Sequence, residues 1–275
     1  MARRLLAAAL APAGAGSTRL GPDDPVIRVC VAGVTGWTGS AVAAAVTEAD
    51  DLELVAGVAR SDADSFSSVA EALDAVETDV VVDYTGASAV RANVLAALER
   101  GVGVVVGSSG LTGADYDEID AKATSAGVGV IAAGNFAVGA ALLLRFAAEA
   151  AKHFETWEVI DYASFGKPDA PSGTARELAE RLSSVRAPKA KVPVTETLGS
   201  PEARGATIGA TQVHSLRLPS FTVSTEVVFA AGGERLSLRH DAGESAEPYV
   251  AGTLLAVRAV PGRVGLLRGL DQLLV

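Results

Sequence analysis

Short aliphatic segments alternate with longer Ala-rich stretches from Val26 onward. Runs that are apolar on both faces are typical of strands in a parallel sheet covered by helices. Such runs lie at residues 26–32, 52–58, 79–84, 102–106 and 128–132. The pattern therefore predicts a Rossmann-type, doubly wound α/β domain, and the stretch Ser40–Ala49 is its first predicted helix.

The pattern changes after Gly134. A long Ala/Leu segment predicts a helix over 136–153, and a second helix is predicted near 172–184. Strand-like segments lie at 157–163, 211–218, 222–229 and 234–240, and the last two alternate with period two. The sequence Ala-Ala-Gly-Gly joins those two, which is a hairpin signal. We therefore predict a second, α+β domain with a mixed or antiparallel sheet.

These patterns suggest a division of the chain. We expect a dinucleotide-binding domain over 25–133, completed by 247–275, whose helix 247–260 returns to it. Residues 134–246 would form the domain for substrate binding and oligomerisation. Residues 1–24 are rich in Ala, Gly and Pro and predict a disordered extension, although their basic start and short apolar stretch also resemble a secretory signal.

Composition and charge narrow the function classes. The net charge is −10 and no Lys/Arg-rich run is present, which argues against a nucleic-acid partner. No run of about 20 apolar residues predicts a membrane span, and no cluster has the spacing of metal ligands. The single cysteine, Cys30, lies in an apolar strand, which favours a buried, inert thiol and a cytoplasmic location.

A glycine-rich loop follows the first predicted strand and opens a helix. Its glycines are Gly33, Gly36 and Gly39, and Thr35, Trp37 and Thr38 lie between them. Glycines in this context allow a tight turn and let backbone N–H groups approach a pyrophosphate at a helix N-terminus. The spacing G-x-x-G-x-x-G differs from the usual dinucleotide fingerprint, so a purely structural turn is the alternative.

Arg60 bears on the choice of cofactor. The end of the second strand is where a carboxylate would bind the ribose hydroxyls of NAD, but the sequence offers Arg60 there and no acid before Asp62. A guanidinium suits a 2′-phosphate, so NADPH is favoured and NADH remains possible. The alternative is a solvated loop charge.

Several small polar loops after the strands precede an unusual motif. They are Asp83–Gly86, Gly107–Gly110 and Ala133–Gly139, followed by Lys167 and Asp169-Ala-Pro-Ser-Gly-Thr-Ala175. In this order they resemble dihydrodipicolinate reductase (4-hydroxy-tetrahydrodipicolinate reductase), the NAD(P)H enzyme of the diaminopimelate route to lysine. The similarity continues through Arg204-Gly205, Gly233–Arg235 and Arg239–Asp241, and so covers residues 26–275.

The resemblance implies roles for individual positions. The glycine loop would hold the pyrophosphate, and loops at Gly107–Gly110 and Asn135–Ala137 would flank the nicotinamide. Lys167 and the backbone of Ser172, Gly173 and Thr174 would bind the carboxylates of a small dicarboxylate substrate, with Lys167 also catalytic. The family is typically a homotetramer assembled through the second domain. The expected cofactor-binding residues are Gly33, Thr35, Gly36, Trp37, Thr38, Gly39, Arg60, Thr85, Gly107, Ser108, Ser109, Asn135 and Phe136.

Two residues depart from the family pattern. Relatives usually carry a His-His pair four and three residues before the lysine, the first being the proposed general acid, and these positions are Ala163 and Ser164 here. Neither is an acid at neutral pH. Lys167, or a water held by Ser164 or Tyr162, would have to deliver the proton.

The three histidines do not obviously replace the pair. We expect His153 to cap a helix, His214 to be structural, and His240 to make a structural hydrogen bond or, alternatively, to line the site. The leading hypothesis is a lysine-pathway reductase with a modified proton route. A reductase of a different unsaturated cyclic imino acid and a non-catalytic NAD(P)-binding homologue are the alternatives.

Overall fold

The computed structural model describes residues 26–60 and 62–274, so the predicted extension 1–24 lies outside the described residues. The described chain forms two compact units. One comprises the residues up to Ala132 together with those from Tyr249 onward, and the other is Ala133–Pro248.

The first unit contains a six-stranded parallel sheet in the order β11-β5-β4-β3-β1-β2. Its strands are β1 (Ile27–Ala32), β2 (Leu52–Val58), β3 (Val80–Asp83), β4 (Gly103–Val106), β5 (Gly129–Ala132) and β11 (Gly265–Arg268). Its helices are α1 (Trp37–Glu48), α2 (Val69–Ala75), α3 (Val90–Leu98), α4 (Gly113–Ala126) and α7 (Glu247–Ala259), the last starting just before the unit boundary. Short 3₁₀ helices cover Val260–Gly262 and Leu270–Leu273. The five predicted strands are all present, whereas β11 was not predicted.

The strand order creates a natural ligand site. Strand β2 lies on one side of β1, whereas β3 and the strands after it lie on the other side. The strand order therefore reverses between β1 and β3. Ligands of open α/β sheets bind outside the carboxyl ends of strands at such a reversal. The loops that follow β1 and β3 begin at Gly33 and Tyr84 and therefore occupy this position.

The second unit contains a mixed five-stranded sheet in the order β10-β9-β6-β8-β7. Only β6 and β8 are parallel, and the remaining pairs are antiparallel. The strands are β6 (Thr156–Ala163), β7 (Ala206–Ile208), β8 (Thr211–Arg217), β9 (Val223–Ala231) and β10 (Glu234–Asp241). The helices are α5 (Val138–Ala150) and α6 (Gly173–Val185), with 3₁₀ turns at Val194–Glu196 and Pro201–Arg204. The predicted fold class is confirmed.

Burial alternates along β6 because successive side chains point to opposite faces of the sheet. Trp157, Val159, Asp161 and Ala163 are buried on one face, where Trp157 and Val159 join the core formed with α5 and α6. Glu158, Ile160 and Tyr162 lie half-buried on the other face. This alternation decides which residues share a surface with the N-terminus of α6.

Local chemistry explains where the elements differ from the prediction. Helix α1 begins at Trp37 rather than Ser40, because the glycine turn ends at Gly36. The hairpin prediction is confirmed, since Gly232 and Gly233 join β9 to β10 with positive φ angles of 56° and 89°. In the part of the chain that the structure describes, every helix is too short or too polar to cross a membrane.

Candidate functional site

The glycine loop after β1 is shaped by close backbone contacts. Gly33 has φ +83°, and a Cβ there would lie 2.4 Å from the carbonyl oxygen of Tyr84. A Cβ on Gly39 would lie 2.1 Å from the carbonyl oxygen of Gly33. Gly36 donates its N–H to the same oxygen at 2.9 Å. Only glycine at positions 33 and 39 lets α1 start directly against the loop.

The N-terminus of α1 is left without an internal cap. Gly36 provides no side-chain cap, and the first turn holds no acidic residue. The backbone N–H groups of Trp37, Thr38 and Gly39 have no partner among the described residues. Unpaired N–H groups at a helix start, together with the positive end of the helix dipole, form an anion-binding site.

Two larger side chains lie near this loop and at the end of β2. Trp37 is 52% exposed and packs edge-on against Tyr249, with ring centroids 5.8 Å apart. Arg60 follows β2 and is exposed, and its guanidinium makes no ion pair within residues 26–60 and 62–274. Both side chains are free to contact a ligand.

Asp83 organises the loops that follow β3 and β4. It is fully buried, and its Oδ1 accepts hydrogen bonds from the Thr85 hydroxyl at 2.8 Å, the Thr85 N–H at 3.0 Å and the Ser108 hydroxyl at 2.5 Å. Its Oδ2 accepts from the Asn93 side chain at 2.8 Å. The hydroxyls of the two expected cofactor residues therefore bind Asp83. Sequence analysis missed this role, although a lone acid ending an all-valine strand was a signal for it.

Tyr84 fills the space between these loops. A Cβ on Gly107 would lie 2.2 Å from the Tyr84 ring, so the glycine is required for this packing. The Tyr84 hydroxyl lies 2.7 Å from that of Thr253 in α7. Burial raises the pKa of Tyr84, so the phenol stays neutral. Ser109, the next expected cofactor residue, is exposed beside this loop.

In the second unit, the N-terminus of α6 offers a smaller set of donors than the sequence suggested. Ser172 is its N-cap, and its hydroxyl accepts from the N–H of Ala175 at 3.3 Å. The N–H of Ser172 donates to Asp161 at 2.9 Å. The N–H groups of Gly173 and Thr174 have no partner in the described chain. Two backbone donors, rather than three, thus remain for an anion.

The loop before α5 is bonded to this same helix start. The Asn135 side chain donates to the Thr174 hydroxyl at 3.1 Å, and that hydroxyl donates to the Gly134 carbonyl at 3.2 Å. The Gly134 N–H donates to Glu177 of α6 at 2.6 Å. Phe136 is only 1% exposed, so its side chain is not accessible to a ligand.

Lys167 lies in the loop that joins β6 to α6. Its N–H donates to the Ser164 carbonyl at 3.0 Å, which closes a turn. Its Nζ lies 2.8 Å from Oδ1 of Asp169, and the lysine side chain is 27% exposed. The ammonium group is therefore held in place and remains accessible.

The residues at the missing histidine positions differ in accessibility. Ala163 is fully buried, whereas Ser164 is half-buried. Tyr162 lies on the opposite face of the sheet from Ala163, where its hydroxyl donates to Glu226 at 3.1 Å and its ring stacks on Phe221. Burial and the adjacent Glu226 raise the pKa of Tyr162. The hypothesis that Tyr162 holds a water for protonation is thus disfavoured, and Ser164 remains.

The three histidines lie in different surroundings. His153 is exposed and lies beyond the end of α5. His214 lies on the face of Ile160, its register partner, and its Nε2 is 2.7 Å from Oε2 of Glu158. Burial raises the pKa of Glu158, but hydrogen bonds from His214 and Arg204 outweigh this and leave it lowered.

His240 alone lies on the same sheet face as Asp161, because it pairs with Thr225, which pairs with Asp161. A Cβ on Gly139, near the start of α5, would be 2.8 Å from the His240 ring. Burial lowers the pKa of His240, against the opposing charge of Asp241. The imidazole is therefore held mainly neutral and packs against a helix start.

Comparison with known proteins gives consistent results for both units. Models of the family described as dihydrodipicolinate reductase match residues 27–136 for its N-terminus and residues 139–274 for its C-terminus. The 4-hydroxy-tetrahydrodipicolinate reductase of Nocardia farcinica is 41% identical over 251 residues, covering 90% of this chain and 98% of the relative. That of Mycolicibacterium vanbaalenii is 38% identical over 249 residues, covering 90% and 99%.

A solved structure agrees with the sequence comparison. The dipicolinate-bound dihydrodipicolinate reductase from Paenisporosarcina sp. TG-14 superposes with a TM-score of 0.71 at 28% identity, covering 90% of this chain and 99% of the other. The resemblance seen in the sequence and the expected oxidoreductase class are confirmed. The chain belongs to the dihydrodipicolinate reductase family.

Proposed function

We propose that this chain catalyses the NAD(P)H-dependent reduction of 4-hydroxy-tetrahydrodipicolinate to tetrahydrodipicolinate in the diaminopimelate route to lysine. The observation that carries the proposal is the combination of a held, accessible Lys167 ammonium with two unpaired N–H groups at the start of α6. This arrangement is suited to carboxylates, and close relatives bear the name of this reductase. Residues 134–246 would bind the substrate, and 25–133 with 247–275 the dinucleotide.

The first unit fits a nicotinamide dinucleotide. The uncapped start of α1 would hold the pyrophosphate, with Gly33, Gly36 and Gly39 allowing its close approach. Trp37 is exposed beside the loop, and the backbone of the loops at Thr85 and Gly107–Ser109 would complete the site because their side chains are partly engaged by Asp83. The bound dinucleotide would supply hydride.

We propose that NADPH is preferred over NADH. The exposed Arg60 at the end of β2 has no acidic partner in the described chain, so its guanidinium is available for a 2′-phosphate. The acid that would accept the ribose hydroxyls of NAD is absent before Asp62. Arg60 would thus favour the phosphorylated cofactor.

The second unit fits a small dicarboxylate. The relative from Paenisporosarcina binds dipicolinate, a planar ring with two carboxylates. In this chain, one substrate carboxylate would accept hydrogen bonds from the N–H groups of Gly173 and Thr174. The Lys167 ammonium would pair with the negative charge of the substrate. Ser172 would act as the cap that orients these donors. Asn135 would contribute by holding Thr174.

We propose that Lys167 also replaces the missing general acid. The 4-hydroxy substrate loses its hydroxyl group as water to give a conjugated cyclic imine, and hydride addition to this imine leaves an enamine-like carbon that must take a proton. The Lys167 ammonium carries three donors, and Lys167 lies three residues after Ser164, the second of the vacant histidine positions. Lys167 would donate a proton to that carbon and regain one from water, while Asp169 orients it. Ser164 is too weak an acid to do so itself.

We further propose a cytoplasmic homotetramer assembled through the second unit. The face of the sheet that carries Ile160, Leu216 and Val228 borders a groove of about 900 Å³. Apolar side chains on an accessible face support a subunit interface. The single buried cysteine supports a reducing compartment.

The experiment supplies 4-hydroxy-tetrahydrodipicolinate in place from pyruvate and aspartate semialdehyde with a synthase, and follows NADPH oxidation by absorbance. Substrate-dependent oxidation is the expected result. NADPH binding by fluorescence, with no oxidation, contradicts the proposal and leaves two alternatives. Calorimetric binding of dipicolinate in that case favours a different cyclic imino acid as substrate, and no binding favours a non-catalytic homologue.

A further inference from the structure

A buried ionic cluster adjoins the N-terminus of α6. Asp161 is 0% exposed, and its Oδ2 accepts three hydrogen bonds. The donors are the Ser172 N–H at 2.9 Å, the Ser215 hydroxyl at 3.0 Å and the Arg217 Nη2 at 2.9 Å. A fully buried carboxylate therefore bonds directly to the residue that caps the proposed substrate-binding helix.

Arg217 extends the cluster to the other end of the loop. The same Nη2 donates to the Asp169 carbonyl at 2.6 Å, and the Asp169 side chain holds the Lys167 ammonium at 2.8 Å. The Arg217 side chain is 17% exposed. One guanidinium thus connects the segment that carries Lys167 with the carboxylate that holds Ser172. Arg217 on β8 is also the register partner of Ala163 on β6.

The cluster is not arranged for stability alone. Oδ1 of Asp161, Nε of Arg217 and the hydroxyl of Thr225 are all buried without a hydrogen-bond partner in the described chain. Thr225 is the register partner of Asp161 on β9. A buried ion pair that leaves polar atoms unsatisfied is seldom more stable than an apolar replacement of the same volume. Such an arrangement calls for a functional explanation.

The negative charge of Asp161 explains why Arg217 is placed beside it. A lone buried carboxylate bonded to Ser172 would repel a substrate carboxylate bound at the adjacent Gly173 and Thr174. Arg217 cancels that charge at 2.9 Å, so the positive end of α6 and Lys167 determine the local potential. Asp161 can therefore orient the helix start without opposing an anion.

We propose that Asp161 and Arg217 are a positioning pair for the substrate dicarboxylate. Asp161 fixes the cap of α6, and Arg217 compensates its charge while anchoring the loop of Lys167. Neither residue needs to touch the substrate. This inference rests on the proposed function, since it assumes that the start of α6 binds a dicarboxylate.

The test compares substitutions that remove one charge each. Arg217→Gln leaves Asp161 uncompensated and should raise the KM for the dicarboxylate, and the Kd for dipicolinate, about tenfold or more. Asp161→Asn keeps an acceptor for Ser172 but leaves Arg217 as an extra cation, so neither constant should rise. A purely structural role would instead raise both constants in both variants, which would overturn the proposal.

Arg239→Gln is the matched control. Arg239 is also an arginine of the second unit in ion pairs, with Asp241 and Glu226, but it lies over the Tyr162 ring on the opposite sheet face. This control should leave the KM and the NADPH Kd within about twofold of wild type. Arg217→Gln should likewise leave the NADPH Kd unchanged. An equal effect of the Arg217 and Arg239 substitutions on the KM contradicts the inference.

The neutral double variant Asp161→Asn/Arg217→Gln covers the case in which Arg217→Gln alone does not fold. The double variant differs from Asp161→Asn only in lacking the guanidinium, and neither variant has an uncompensated carboxylate. Dipicolinate should therefore bind the double variant more weakly than it binds Asp161→Asn. Unchanged binding overturns the inference. Because dipicolinate binding by calorimetry requires no turnover, failure of the positioning pair is distinguished from failure of the proposed reaction, which wild-type turnover measures.

Discussion

Asn135 donates a hydrogen bond from its side-chain amide to the hydroxyl of Thr174, with 3.1 Å between Nδ2 and Oγ1. Asn135 lies in the loop that family resemblance assigns to the nicotinamide, and Thr174 lies in the helix turn that it assigns to the substrate. The two expected contact regions of the second unit are therefore joined by a hydrogen bond. A substitution in one region should alter the position of the other.

Thr174→Val removes this link while keeping the shape of the side chain. The buried Asn135 amide loses its partner and the Gly134 carbonyl loses a partly buried hydrogen bond, so the free energy of unfolding should fall by about 1–3 kcal/mol. Urea denaturation measures it. Thr47→Val is the control, because the Thr47 hydroxyl only donates to the Ala43 carbonyl within α1. This substitution should lower the free energy of unfolding by less. An equal loss in both variants would contradict the importance of the link.

Gly39→Ala tests the glycine loop. The added Cβ would lie 2.1 Å from the Gly33 carbonyl oxygen, so the start of α1 must shift away from the loop. NADPH binding by fluorescence should weaken about tenfold or more, because backbone donors lose their positions. Gly113→Ala, at the first residue of α4 with nothing within 4 Å of its new Cβ, should bind NADPH normally. Unchanged binding in Gly39→Ala would show that this loop does not hold the pyrophosphate.

Arg60→Ala should change cofactor preference rather than cofactor binding in general. Loss of a guanidinium that reads a 2′-phosphate should weaken NADPH about tenfold and leave NADH nearly unaffected. The ratio of kcat/KM for the two cofactors measures this. Arg100→Ala removes an arginine of the same unit that pairs with Asp74, and it should leave the ratio unchanged. Equal losses for both cofactors in Arg60→Ala would mean that Arg60 does not contact the phosphate.

His240 should give the fold a specific dependence on pH. Burial lowers its pKa in the folded state, whereas the unfolded chain retains the ordinary value of about 6.5. As the pH falls below that value, the unfolded state binds the proton first, so stability is full above it and declines as the pH drops toward the folded pKa. Urea denaturation at about pH 7.5 and about pH 5.5 should therefore show a smaller decline for His240→Gln than for wild type.

His153→Gln is the control for this effect. Its side chain is 71% exposed beyond α5, so the same substitution there should leave the decline as in wild type. Acidic residues contribute to the decline in all three proteins and cancel in the comparison. An identical decline in wild type and His240→Gln would show that burial of His240 is not coupled to folding.

Hydrophobic periodicity predicted nine of the eleven strands in the described chain and missed β7 and β11. Strands such as 52–58 were found at the predicted residues, because an aliphatic run between turn residues has few alternatives. The short strand β11 was not predicted, since Gly265–Arg268 is polar at one end and is recognisable only once β5 is available as its partner. Helix α1 begins three residues before the predicted Ser40, because the glycine turn ends at Gly36. A turn has no hydrophobic periodicity, so this start could not be predicted from the pattern.

The site was predictable in residue type but not in hydrogen bonding. The sequence indicated Lys167 and the Ser172–Thr174 segment, and the structure places them on one loop and helix start. It could not indicate that Asp161 takes the N–H of Ser172, or that Arg217 reaches that carboxylate from 56 residues away along the chain. Such pairings arise from strand register, which sequence spacing does not specify.

The central claim is that Lys167 performs the proton transfer for which neither Ala163 nor Ser164 offers an acid. The most direct measurement is kcat for Lys167→Arg and Lys167→Ala, with Lys152→Ala, a surface lysine paired with Glu149, as control. Arginine keeps the positive charge but holds its protons too tightly to act as an acid. The account predicts that Lys167→Arg largely keeps the KM while kcat falls about 10²–10⁴-fold, and that Lys167→Ala loses turnover but binds NADPH normally. A kcat for Lys167→Arg close to wild type would contradict it.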